Sequence, residues 1–132
     1  MGFPAATGNH TVVAVDTHIV LVPTPGGPVP TPLPHPFNGI LDGGLVNTVK
    51  INGQPTAVVG STCTNTPSHL PTPPGASFQV PPANKGSVFM GSATVKIGGK
   101  AAARMNDPVK TCNDPTDLPV GKIIAAGNVS IG

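Results

Sequence analysis

The chain has 132 residues, which is one domain by length, and it carries a net charge of only +2 with 9% charged residues. No Lys/Arg cluster is present, which argues against a nucleic-acid binder. No run reaches the roughly 18 apolar residues of a membrane span. Eighteen Pro and 17 Gly would suit a disordered chain, but disorder goes with high charge and little apolar content, and here Val, Ile and Leu recur in short runs. The expectation is short strands joined by rigid turns.

In chain order, the N-terminus lacks a basic stretch followed by an apolar run, so no signal peptide is expected and the protein should fold in the cytoplasm. His10 precedes the first β-branched run and reads as a turn residue. Thr11 to Val22 reads as the first strand. Segment 23–36 is rich in Pro, which has no N–H to donate, and reads as a loop. Thr48-Val49-Lys50-Ile51 alternates polar and β-branched residues, as a half-buried strand does, and Asn52-Gly53 after it is a hairpin signal. Pro55 to Val59 reads as the return strand. Segment 70–82 is a second Pro-rich loop. Thr94-Val95-Lys96-Ile97 with Gly98-Gly99 repeats the hairpin, and segment 101–106 could form a helical turn. Lys122 to Ile131 is the last strand, with only Gly132 after it, so no toxin domain is expected in cis. The Gly-Gly pairs read as turns, since none precedes a helix.

Two units emerge. Thr48-Val49-Lys50-Ile51 recurs 46 residues on as Thr94-Val95-Lys96-Ile97, and at the same offset Pro36, Asn38, Gly53 and Ala57 match Pro82, Asn84, Gly99 and Ala103. With small gaps, Pro23-Thr24-Pro25 matches Pro71-Thr72-Pro73, Thr62-Cys63 matches Thr111-Cys112, and Thr17-His18 matches Ser68-His69. Units too small to bury their own cores must pack on each other.

This register puts His18, Cys63, His69 and Cys112 in two equivalent places. If the copies pack with pseudo-symmetry, four N/S donors converge, the set that structural zinc prefers. His35, between Pro34 and Pro36, is the substitute that would give three His and one Cys. Asp16, two residues before His18, could orient a ligand from behind. A Cys63–Cys112 disulfide and two merely buried thiols are the competing readings. Catalysis is poorly supported. There is no Glu, the carboxylates are Asp16, Asp42, Asp107, Asp114 and Asp117, and a zinc closed by four protein ligands has no open position.

Ile97-Gly98-Gly99-Lys100-Ala101-Ala102-Ala103-Arg104-Met105-Asn106-Asp107, followed by Thr111-Cys112, resembles the PAAR motif, named for Pro-Ala-Ala-Arg. Ile51-Asn52-Gly53-Gln54-Pro55-Thr56-Ala57, then Gly60-Ser61, Cys63 and His69, resembles a preceding copy. Asp16-Thr17-His18 and Pro32-Leu33-Pro34-His35-Pro36-Phe37-Asn38 are similar to PAAR-like variants of contractile injection systems. The resemblance runs from about residue 11 to 131. It departs at Ala101, where the tetrad has Pro, and in the Pro-rich insertions.

The resemblance implies a single all-β domain over residues 1–132, small and tapered (a cone or triangular prism), with a structural zinc near the point. It implies no enzyme, but a cap that sharpens a trimeric β-helical spike of the valine-glycine-repeat type for membrane puncture. The chain would be a monomer on its own, exported with the injection particle and touching the target membrane only transiently. An adaptor that docks an effector on the Pro loops and a small zinc hydrolase are the alternatives. The first and last strands are the expected spike-facing edges, with Val129 and Ile131 as contact residues. A threefold spike calls for a pseudo-threefold cap, whereas only two units are visible in the sequence.

Overall fold

The computed structural model describes residues 2–132, and among these there is no helix, so none long and apolar enough to cross a membrane. The strands in chain order are β1 (Phe3–Pro4), β2 (Thr11–Val22), β3 (Val29–Gly43), β4 (Val46–Ile51), β5 (Gln54–Thr56), β6 (Thr62–Asn65), β7 (Ser77–Phe78), β8 (Lys85–Val88), β9 (Lys96–Ile97), β10 (Lys100–Ala101), β11 (Pro108–Thr111), β12 (Leu118–Ile124) and β13 (Ser130–Ile131). The largest sheet has the order β12-β11-β8-β6-β3-β2-β7, and β12 also pairs with β2. That extra pairing closes six antiparallel strands into a small barrel and leaves β7 alone on the far end of β2. Closure removes open edges, which a chain this poor in large side chains needs. Val12, Phe37, Leu41, Cys63, Val88, Val109 and Ile123 fill the barrel.

The barrel stands on three equivalent turns. The N–H of Ala6 donates to the carbonyl of Ala103, that of Ala103 to Ala57, and that of Ala57 back to Ala6, each at 3.0 Å. This closed ring of backbone hydrogen bonds is a pseudo-threefold axis. Directly after it, the N–H of Thr7 donates to His10 Nδ1 (3.0 Å), that of Val58 to Ser61 Oγ (2.9 Å) and that of Arg104 to Asp107 Oδ2 (2.7 Å). Each turn passes through a left-handed residue, Asn9 (φ 71°), Gly60 (φ 94°) or Asn106 (φ 70°), the types that tolerate that conformation. The N–H groups of these three residues donate to Leu41, Val88 and Ile123 in turn. Strands β2, β6 and β11 then leave the ring on the same side.

On the other side of the ring lie three hairpins. Two are β4–β5 and β9–β10, turning at Asn52-Gly53 and Gly98-Gly99, all four with positive φ. The third is assembled from the two ends of the chain: β1 pairs with β13, Phe3 opposite Ile131 as Gln54 is opposite Ile51 and Lys100 opposite Ile97. Ala5, Ala102 and Ile131 form a second, smaller core here, against Ile51, Val95 and Ile97. The fold therefore has three units where two are legible from the repeat alone.

Several expected elements change. The loop expected over 23–36 is a turn followed by the longest strand of the fold, since β3 pairs with β2 from Val29↔Val22 to Ile40↔Thr11. The prolines obey the strand period. Pro30, Pro32, Pro34 and Pro36 all face out, while His35, Phe37, Gly39 and Leu41 face in. Thr17 and Ile19, opposite Pro34 and Pro32, give their N–H groups to Asn113 and Asp114 instead. The prolines thus occupy positions where no ladder bond is due, and β6 covers β3 only over Gly39–Gly43. The last strand expected over Lys122 to Ile131 is two strands, β12 and β13. Segment 101–106 carries the end of β10 and the Arg104–Asp107 turn, not a helical turn.

Candidate metal centre

Beyond the barrel, β2 and β3 continue as a two-stranded ribbon, and the inward row that begins with Val12, Leu41 and Phe37 turns polar at Asp16, His18 and His35. Two connections close over it. The one after β6 brings His69 and the one after β11 brings Cys112, Asn113 and Asp114. Asp16, His18, His69 and Cys112 each place one donor atom within 4.8 Å of the others, and all four are buried. His18 Nε2 lies 3.7 Å from Cys112 Sγ, and His69 Nε2 lies 2.9 Å from Asp16 Oδ2.

His35 stands at the border of this group, its ring centroid 5.5 Å from His18 and 5.6 Å from His69, which are themselves 5.0 Å apart. Phe78 and Phe37 pack on the three imidazoles. The tautomer of His35 follows from its neighbour. Nδ1 lies 3.0 Å from the Leu33 carbonyl, which only accepts, so Nδ1 carries a proton, and in the neutral tautomer that this selects Nε2 is the lone pair. That Nε2 is buried and has no hydrogen-bond partner. A buried imidazole nitrogen without a partner calls for an explanation, and a cation supplies one. His18 is similar: its Nδ1 faces Asp114 Oδ2 at 3.5 Å, the carboxylate-behind-histidine arrangement that orients metal ligands. Burial lowers the His18 pKa below its usual value, so the ring stays neutral, as a ligand must be. Burial likewise pushes the Cys112 thiol up to about 11, next to Asp16, so without a cation it stays protonated. The donor set fits a borderline-soft divalent ion.

Of the residues singled out in the sequence, the structure gathers His18, His69 and Cys112, with His35 beside them. It does not bring Cys63 in. Its sulfur lies 3.2 Å and 3.0 Å from where side chains on Gly39 and Gly86 would begin, within the apolar core. Burial raises its pKa to about 12. The cause is register. The three turns make Cys63 the counterpart of Val12 and Val109, one residue into each strand, and not of Cys112. Both cysteines are free thiols, so the disulfide is not formed. Asp16 is the member that sequence spacing placed only behind the site, though it sits at its centre. At the opposite end, Ile131 is 6% exposed and belongs to the core, so it offers no contact surface, whereas Val129 is 40% exposed.

The family described as PAAR motif matches residues 21–111. The chain belongs to the PAAR motif family. No curated protein matches the sequence. PAAR-repeat proteins are parts of contractile injection systems, and membership supports a structural role connected with the spike tip.

The geometry accounts for the PAAR tetrad. Ala101-Ala102-Ala103-Arg104 is equivalent to Pro55-Thr56-Ala57-Val58 and to Pro4-Ala5-Ala6-Thr7, which are joined cyclically by the bridges Thr7↔Thr56, Val58↔Ala102 and Ala5↔Arg104. The second residue of each tetrad faces the hairpin side of the ring and the third faces the barrel core, and both must be small where three backbones meet. The Arg104 guanidinium folds onto Asp107 (3.0 Å) and lies over the Phe3 ring (5.7 Å to the centroid), tying the third unit to the first. Pro4-Ala5-Ala6, the copy missed in the sequence, was readable as a PAAR tetrad that lacks only its Arg.

Proposed function

We propose that this protein is the structural tip of a contractile injection particle, a pseudo-threefold cap on a trimeric β-helical spike, held together at its far end by one zinc ion. The ring of Ala6, Ala57 and Ala103 with a hairpin on each unit is the observation that carries this reading, because one chain thereby offers three equivalent edges to a threefold partner. Val49, Val95 and Val129 occupy equivalent places on those hairpins, and Val49 and Val129 are each 40% exposed. Lys50, Lys96 and Lys100 are exposed on the same side. These edges cover the unpaired backbone at the end of a spike.

The zinc is assigned to His18, His35, His69 and Cys112, with Asp114 behind His18. Three imidazoles and one thiolate make a closed tetrahedral site, which is structural. All four residues are buried, so no substrate reaches the ion, and this favours a staple over a hydrolase. The staple sits where the core runs out, on a ribbon and two loops that few large apolar side chains support. The protein is read as a single domain, monomeric alone, folded in the cytoplasm and released with the particle. The groove of about 360 Å³ between Pro34, Pro36 and the exposed Leu70 is where an effector would dock in the adaptor reading.

The test pairs elemental analysis with spike capture. Purified protein should hold one zinc per chain, lost in His69→Ala, and should be retained by the immobilised trimeric spike protein of its own system. Val49→Asp with Val129→Asp should abolish retention while zinc content stays at one. Retention unaffected by both substitutions refutes the docking face, and metal-free protein whose melting ignores chelators refutes the staple.

A further inference from the structure

We infer that Asp16 is the internal counter-ion and template of this site: it assembles the pocket before the ion arrives and neutralises it afterwards, without ligating. The inference rests on the zinc reading above. Asp16 is fully buried and lies opposite His35 in the β2–β3 register. A lone buried carboxylate is costly, and four donors offset that cost. Oδ1 accepts from Thr111 Oγ1 (2.5 Å) and Asn113 Nδ2 (3.5 Å), and Oδ2 accepts from His69 Nε2 (2.9 Å) and Cys112 Sγ (3.5 Å).

These four donors come from the two connections that close the pocket and from the end of β11, so one carboxylate fastens all of them to β2. Two donors are ligands and two are not. When an ion takes His69 and Cys112, Thr111 and Asn113 keep the carboxylate in place. A divalent cation with three neutral imidazoles and one thiolate carries one excess positive charge, and in a buried site that charge needs a partner. Asp16 supplies it at the centre of the site. His35 Nε2, lacking any other partner, is the free donor that makes ligation by Asp16 unnecessary.

The experiment compares wild type, Asp16→Asn and Thr111→Val, each as the full chain, for Co²⁺ uptake, Zn²⁺ affinity by chelator competition and melting without metal. Asp16→Asn should keep the cobalt spectrum of wild type, including its thiolate charge-transfer band. It should bind Zn²⁺ about 10–100-fold more weakly, the usual loss for a group behind the ligands. Its metal-free form should melt lower than metal-free wild type. Thr111→Val, which leaves every ligand intact, should move affinity in the same direction by less and serves if Asp16→Asn fails to fold. A changed cobalt spectrum in Asp16→Asn makes Asp16 a ligand and overturns the inference. Affinity and metal-free melting both equal to wild type overturn it as well. Wild type that binds neither ion refutes the zinc reading itself, a result distinct from any difference between two metal-binding proteins.

Discussion

The alanine ring makes a sharp demand on size. Ala6, Ala57 and Ala103 are each about 1% exposed or less and point into the barrel from three backbones joined at 3.0 Å. Replacing Ala103 by Leu adds three carbons on this axis, where Ala6 and Ala57 are fixed by the ring and cannot withdraw without breaking it. Overpacking of a well-filled core costs about 1–3 kcal/mol, and a site held by three hydrogen-bonded strands belongs at the upper end. For a chain of 132 residues the unfolding entropy is about 0.28 kcal/mol per degree, so 2–3 kcal/mol lowers the melting temperature by about 7–11 °C. Differential scanning calorimetry of Ala103→Leu beside Ala126→Leu, an exposed control, measures it. A melting temperature within about 2 °C of wild type in Ala103→Leu means that the axis has room, and the account of the tetrad given above is then wrong.

The two cysteines should behave oppositely. Cys63→Ser should keep zinc and lose about 1–3 kcal/mol for a buried hydroxyl in an apolar core, whereas Cys112→Ser should lose zinc, as elemental analysis of both will report. In metal-free protein, pH should erode stability from both sides. The folded pKa of His18 is lowered, so the unfolded chain takes up more protons as pH falls below about 6.5, and stability drops there. The folded pKa values of Cys112 and Cys63 are raised to about 11 and about 12, so the unfolded thiols ionise first and stability drops as pH rises from about 9. Chelator-treated melts across pH 5–11 show a plateau between these limits if burial governs, and a monotonic trend if it does not. Replacing Pro32 and Pro34 by Thr should restore N–H donors on the open edge of β3 and produce larger species in light scattering, with about 0.4–1 kcal/mol of stability lost per site. Monodisperse double mutant at high concentration counts against the proline edge as a guard.

Much of the fold could be read from alternation and punctuation. The strand over Thr11–Val22 and the turns at Asn52-Gly53 and Gly98-Gly99 lie where those signals put them. The count of Pro hides the β3 strand, because what decides is parity: Pro30, Pro32, Pro34 and Pro36 all fall on the outward positions. Proline at every second residue removes N–H groups from one edge only, and that edge is free. The third unit escaped because its hairpin is interrupted by the chain ends, so no contiguous window contains it, although Val129-Ser130-Ile131-Gly132 echoes Val95-Lys96-Ile97-Gly98. In the site, His18 and His69 stand in true register. Cys63 shares a Thr-Cys pair with Cys112 but lies three residues out of step with it, and Asp16 gives no local signal because its partners come from residues more than fifty positions away.

A barrel whose sixth pairing joins β2 to β12, with a third hairpin that joins Phe3 to Ile131, cannot close before residues 118–131 have been made. Until residues 118–131 have been made, β2 is paired over Thr11–Val13 on one edge only, by β3, and the N–H of Ala5 lacks its acceptor on Val129. Folding therefore waits on pairings between residues 3–13 and 122–131, and contacts of such high sequence separation slow it. The edge of β2 that waits for β12 belongs to the strand that carries Asp16 and His18, so anything that shields that edge during synthesis acts on the yield of folded protein.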